Sequence, residues 1–92
     1  MNAISIFLRI CPKKRDEFLQ TIRSLNLEMK QETGFKLARI FQDLDDSSSF
    51  YLIEEWRTQT DIDRHLRSDR FSVLMGLLRV LSEESEVHYH VI

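Results

Sequence analysis

His65 is the side chain in this sequence best equipped for chemistry. An imidazole titrates near neutrality and carries both a donor and an acceptor, so it can orient a phenol or take its proton. It lies in the stretch 51–68, Tyr-Leu-Ile-Glu-Glu-Trp-Arg-Thr-Gln-Thr-Asp-Ile-Asp-Arg-His-Leu-Arg-Ser. Glu54 and Glu55 are adjacent, so on a strand one faces in and the other out. An inward carboxylate needs a partner, and Arg9, Arg39 or His65 can serve. Phe7, Phe41, Tyr51, Trp56, Phe71 and Met75 are flat or soft groups able to line a pocket for an aromatic ligand. Each residue also has a plain structural role: His65 as a pin between a short helix and a strand, the glutamate as half of an ion pair, the aromatic groups as core.

Other chemistries find less support. His88 and His90 are two apart on a strand and point the same way, but no third ligand stands at metal-binding spacing. Cys11 has no neighbouring base and no CxxC, so it reads as a small buried residue. The two glycines, Gly34 and Gly76, do not form a G-x-G-x-x-G phosphate loop, and no Ser/His/Asp order is present. Neither a metal nor an organic cofactor is expected.

The elements that must position these groups follow from periodicity. Residues 3–10 alternate, with Ile4, Ile6, Leu8 and Ile10 on one face and Ala3, Ser5, Phe7 and Arg9 on the other. Pro12 suits the first turn of a helix, and Phe18, Ile22, Leu25 and Met29 form its apolar stripe. Gly34 is the natural stop. Residues 35–42 read as a second strand with Phe35, Leu37, Arg39 and Phe41 on one face. Residues 43–48 are a polar connection to a third strand ending near Trp56. Thr60 can cap the short helix that follows, on which Ile62, His65 and Leu66 share a face. Ser68 or Asp69 can cap a last helix over 70–81. That helix carries two apolar stripes, Phe71, Leu74, Met75 and Leu78, then Val73, Leu77 and Val80, so it needs cover on more than one side. Residues 86–92 read as a final strand.

The order strand, helix, hairpin, paired short helices, strand predicts an α+β fold: a ferredoxin-like antiparallel four-stranded sheet with helices on one face. Every strand has apolar groups on both faces, so the bare side of the sheet needs a second copy of the chain. The expected assembly is a homodimer with an α+β barrel at its centre.

The run Glu54-x-Trp56-x-Thr58, then His65-Leu66-x-Ser68, resembles the signature of the antibiotic biosynthesis monooxygenase family. The resemblance implies a dimeric α+β barrel whose subunits each keep a pocket between sheet and helices. It also implies a cofactor-independent monooxygenase acting on a quinol-like or polycyclic aromatic. In that reading His65 binds or deprotonates the phenol, Arg9 or Arg39 stabilises the oxyanion, and Phe7, Tyr51, Glu54, Trp56, Phe71 and Met75 contact the substrate. The contrasting expectation is a non-catalytic or small-ligand-binding dimer, because one fold hosts many functions. Haem degradation occurs on similar barrels with an axial histidine on the last helix; here Met75 stands at roughly that place. An isomerase of small hydroxy-ketones also occurs on this architecture.

Composition bounds the rest. Ninety-two residues argue for one domain, residues 1–92. A hydrophobic content of 42% with 30% charged residues is that of an ordinary globular chain. The net charge of −2 has both signs interspersed, so nucleic acid is not an expected partner. No apolar run is long enough to span a membrane, and the early basic residues argue against a signal peptide. A single cysteine fits a reducing cytoplasm.

Overall fold

A computed structural model describes the backbone of residues 2–92 and the side chains of residues 2–82 and 90–92. Four strands, β1 (Ala3–Ile10), β2 (Phe35–Gln42), β3 (Ser49–Trp56) and β4 (Ser82–Val91), form one sheet in the order β2-β3-β1-β4. All three pairings are antiparallel. Helices α1 (Arg15–Met29), α2 (Gln59–Leu66) and α3 (Asp69–Leu81) complete the ferredoxin-like α+β fold.

The alternation in β1 works as expected. Ile4, Ile6, Leu8 and Ile10 are buried in the core with Phe18, Ile22 and Met29 of α1 and Leu74, Met75 and Leu78 of α3. Register carries that face across the sheet. Ile4 pairs with Glu54 and Ile6 with Leu52, while Ala38 and Ile40 of β2 stand opposite the same two β3 residues. Glu54 is therefore the inward glutamate.

Several expectations need correction. Phe35 does not share a face with Leu37, Arg39 and Phe41. A register shift between Phe35 and Leu37 leaves Lys36 unopposed, and Phe35 turns back to pack on the core. Helix α1 stops at Met29, five residues before Gly34, because tight turns follow: Gln31 N–H donates to Glu28 and Glu32 N–H to Met29. Gly34 has a positive φ of 83°, and a Cβ there would collide with the Asp61 carboxylate, so its lack of a side chain admits α2. The cap of α2 is Thr58, not Thr60: Asp61 N–H donates to Thr58 Oγ1 at 3.1 Å, because the helix starts earlier than the capping pattern suggested. Ser68 caps α3, accepting from Phe71 N–H at 3.1 Å. Strand β4 begins at Ser82, directly after α3, rather than at residue 86.

The two stripes of α3 separate. Phe71, Leu74, Met75 and Leu78 are buried, whereas Val73, Leu77 and Val80 are exposed, and Gly76 has open space around it. The sheet face away from the core is also partly apolar. Phe7 lies against Tyr51 with ring centroids 5.1 Å apart, and Phe41 pairs across from Tyr51 at about half exposure. Among the described residues, no helix is long and apolar enough to cross a membrane.

Candidate functional site

His65 is held from two sides. Helix α2, capped by Thr58, presents it toward β3, and alternation along β3 places Glu54 and Trp56 on the same face. His65 Nε2 stands 3.1 Å from Glu54 Oε1. The contact is close but is not a straight hydrogen bond, because Nε2 has no acceptor in line with it. On the other side Nδ1 lies 2.9 Å from Glu32 Oε1, which reaches in from the turn after α1. Arg70 of α3 approaches Glu32 at 3.3 Å and donates to the Glu28 carbonyl at 3.1 Å.

Aromatic rings close the remaining sides. The Trp56 ring lies 4.4 Å from the imidazole at 31°, and Phe71 meets it edge-on at 5.3 Å. Trp56 Nε1 donates to Glu54 Oε1 at 3.3 Å, and Phe35 packs edge-on against Trp56 at 5.6 Å. Only 2% of His65 and 2% of Glu54 is exposed. Burial alone would push the imidazole toward its neutral form. Glu54 and Glu32 together outweigh that effect and hold its pKa above the ordinary histidine value. The two carboxylates thus favour the protonated imidazole, in which both ring nitrogens are donors.

Beside this cluster, between α1 and α3 and above Leu52, runs a narrow apolar slot. Ile22, Leu25, Met29, Leu52 and Leu74 supply its apolar wall, and Asn26, Glu54, His65 and Arg70 its polar groups. Its volume is about 10 Å³, scarcely room for one water.

The residues singled out in the sequence divide across the sheet. His65, Glu54, Trp56 and Phe71 come together on the helix side, where only His65 and Glu54 reach the slot wall. Met75 is buried in the core. Phe7, Tyr51, Arg9 and Arg39 belong to the opposite face: register aligns Phe7 with Tyr51, and Arg39 with Ile53 and Ser5. Arg9 is half exposed and pairs with Asp46 at 3.4 Å, and Arg39 is exposed. Within one chain the sheet separates both arginines from His65: from Ser5 in β1 and from Leu37 in β2, positions of odd number point away from the helices.

Sequence reasoning missed Glu32, Arg70 and Asn26. Glu32 lies in a polar turn with no periodicity, and its partner is 33 residues further on. Arg70 sits at the start of α3 between Asp69 and Phe71, where a basic residue reads as solvated. His90 pairs with Ser5 and is exposed, whereas the side chain of His88 lies outside the described residues. Among the described residues no three His, Cys, Asp or Glu side chains converge as a metal site.

Comparison with known proteins gives a consistent picture. The family model described as Antibiotic biosynthesis monooxygenase matches residues 1–76. The Bacillus subtilis (strain 168) protein named "Putative monooxygenase YcnE" is 24% identical over 71 residues, which span 77% of this chain and 75% of that protein. A conserved protein from Methanosarcina mazei Go1 superposes with a TM-score of 0.84 at 28% identity, covering 100% of this chain and 92% of the other. A point mutant of SnoaB, a cofactor-independent oxygenase from Streptomyces nogalater, superposes with a TM-score of 0.85 at 16% identity, covering 99% and 89%.

Proposed function

We propose that this chain, which belongs to the antibiotic biosynthesis monooxygenase family, is a cofactor-independent monooxygenase acting on a quinol-like or polycyclic aromatic small molecule. The observation that carries the reading is a buried histidine, His65, on the wall of an apolar slot that also holds Arg70 and Asn26. An anthrone-type substrate would fit the slot's chemistry once the slot opens. Its ring would lie against Leu25, Met29, Leu52 and Leu74, and its phenolic oxygen would face the cations.

The flanking carboxylates favour the protonated form of His65, which would donate a hydrogen bond to a phenolate and favour that anion, with the phenolic proton leaving to solvent. Arg70 takes the oxyanion-stabilising role expected of Arg9 or Arg39. The electron-rich anion then reduces oxygen itself. A carbon–oxygen bond forms at the methylene carbon, the resulting hydroperoxide loses water, and a carbonyl remains. One oxygen atom enters the product and the other leaves as water, with the substrate supplying all four electrons. The protein holds the ring, favours the anion and excludes bulk water. Entry of a ring requires Leu25, Met29 and Leu74 to move aside, and flexible side chains of this kind adapt well. SnoaB, described as a cofactor-independent oxygenase, supports the reading at the level of fold.

A homodimer belongs to the same proposal. The open sheet face bearing Phe7, Phe41 and Tyr51 is the surface a second copy would cover.

One observation favours a second reading, a non-catalytic or small-ligand-binding homodimeric barrel. The slot is closed to about 10 Å³, and His65 is pinned between two carboxylates. Oxygen uptake with a panel of hydroquinones and anthrones separates the two. Uptake above the spontaneous rate, matched by a ketone or quinone product, is the result expected of the oxygenase. Spontaneous rates across the panel would leave the second reading in place.

A further inference from the structure

A much larger concavity than the His65 slot lies beside it, with Asn26 of α1 lining both. It is a groove of about 530 Å³ between the C-terminal half of α1 and the edge strand β2. That volume lies within the range of small-molecule sites. Leu27, Leu37 and Phe35 give it an apolar surface, and Leu27 is 63% exposed in the uncovered groove. Arg23, Lys30 and Lys36 stand around it, and among the described residues no carboxylate is on its wall.

Two features set this groove apart from an ordinary solvated surface. The chain as a whole carries a net charge of −2, yet three cations collect here. Among the described residues none of the three forms an ion pair, although Arg9, Arg64 and Arg70 all do. The backbone is also shaped for it. The register shift in β2 leaves Lys36 as the extra residue of a bulge, and bulges on edge strands re-aim a side chain. Without the shift Lys36 would take its turn in the strand's alternation.

We propose that this groove binds a small amphipathic organic anion: an apolar, preferably aromatic body against Leu27, Leu37 and Phe35, with its carboxylate, sulfonate or phenolate taken by Arg23, Lys30 and Lys36. The charge complementarity selects an anion, and the apolar surface favours one with an organic body over a bare inorganic ion. The inference is independent of the oxygenase reading, because the cations it uses do not touch the His65 slot.

The test is an NMR titration of the full chain with 8-anilinonaphthalene-1-sulfonate, an aryl sulfonate, beside its neutral counterpart N-phenyl-1-naphthylamine. Amide shifts should cluster at residues 23–30 and 35–38. The neutral probe should bind about tenfold more weakly, and the double variant R23E/K36E should weaken the sulfonate by about tenfold or more. Both substituted residues are exposed, so the variant's amide spectrum should otherwise match the parent. Shifts centred on Phe7 and Tyr51, equal affinity for the two probes, or an unaffected double variant would each overturn the proposal. So would silent groove amides, the result if a second copy of the chain covers the groove.

Discussion

His65 Nδ1 stands 2.9 Å from Glu32 Oε1, and through that contact the turn after α1 is fastened to α2. Glu54 completes the clamp from β3 at 3.1 Å, and Arg70 ties Glu32 to α3. One imidazole thus joins four parts of the fold. The carboxylates on both sides favour its charged form, so the cluster acts structurally even before any substrate is considered.

The clamp makes stability depend on pH in a defined direction. The folded-state pKa of His65 is raised above its unfolded value of about 6.5. Its contribution is therefore complete below about pH 6.5 and is lost as pH rises through the folded value. Urea denaturation across pH 6 to 9 should show midpoints falling with pH, and His65→Gln should flatten that trend. A parent protein with no loss of midpoint over this range would contradict the assignment.

Removing one partner of the cluster should cost more than an exposed ion pair would. His65→Ala leaves Glu54, almost wholly buried, without its cation, and a loss of about 3–5 kcal/mol is expected. Breaking the exposed Arg9–Asp46 pair by Arg9→Ala should leave stability nearly unchanged, because solvent screens it. Chemical denaturation of both variants checks the contrast.

The two glycines should respond oppositely to alanine. Gly34→Ala adds a Cβ at positive φ and against Asp61, and should destabilise by more than about 1 kcal/mol. Gly76→Ala adds one in open space inside α3 and should stabilise by up to about 1 kcal/mol. Thermal melts of the pair report this directly.

Covering the open sheet face by a second copy predicts a light-scattering mass of twice the 11.0 kDa chain, persisting on dilution. Tyr51→Glu, which puts a charge beside Phe7, should shift the mass toward the monomer. A parent chain that runs as a monomer throughout would remove the barrel from the account.

Much of this arrangement is legible in the residues themselves. Strict alternation in β1 and the Phe18–Ile22–Leu25–Met29 stripe carry strong periodic signals, and both predicted the core-facing sides, with Leu25 only partly buried. The Trp56 to His65 spacing brought the right two side chains together because strand, turn and short helix are contiguous. Long-range partners left no such trace. Glu32 lies in an aperiodic turn, and the bulge at Lys36 reverses the sidedness of Phe35, which only the pairing with β3 reveals. Arg9 and Arg39 looked like candidates by charge, but their place opposite the helices follows from register, a tertiary property.

The most direct test of the oxygenase account is the initial rate of oxygen uptake on an anthrone, corrected for spontaneous oxidation. The parent should be compared with folded Arg70→Gln and slot-filling Leu74→Phe variants. The account predicts uptake matched mole for mole by the ketone product, reduced about tenfold or more in both variants. Parent rates no faster than the spontaneous reaction, or variants as fast as the parent, would contradict it.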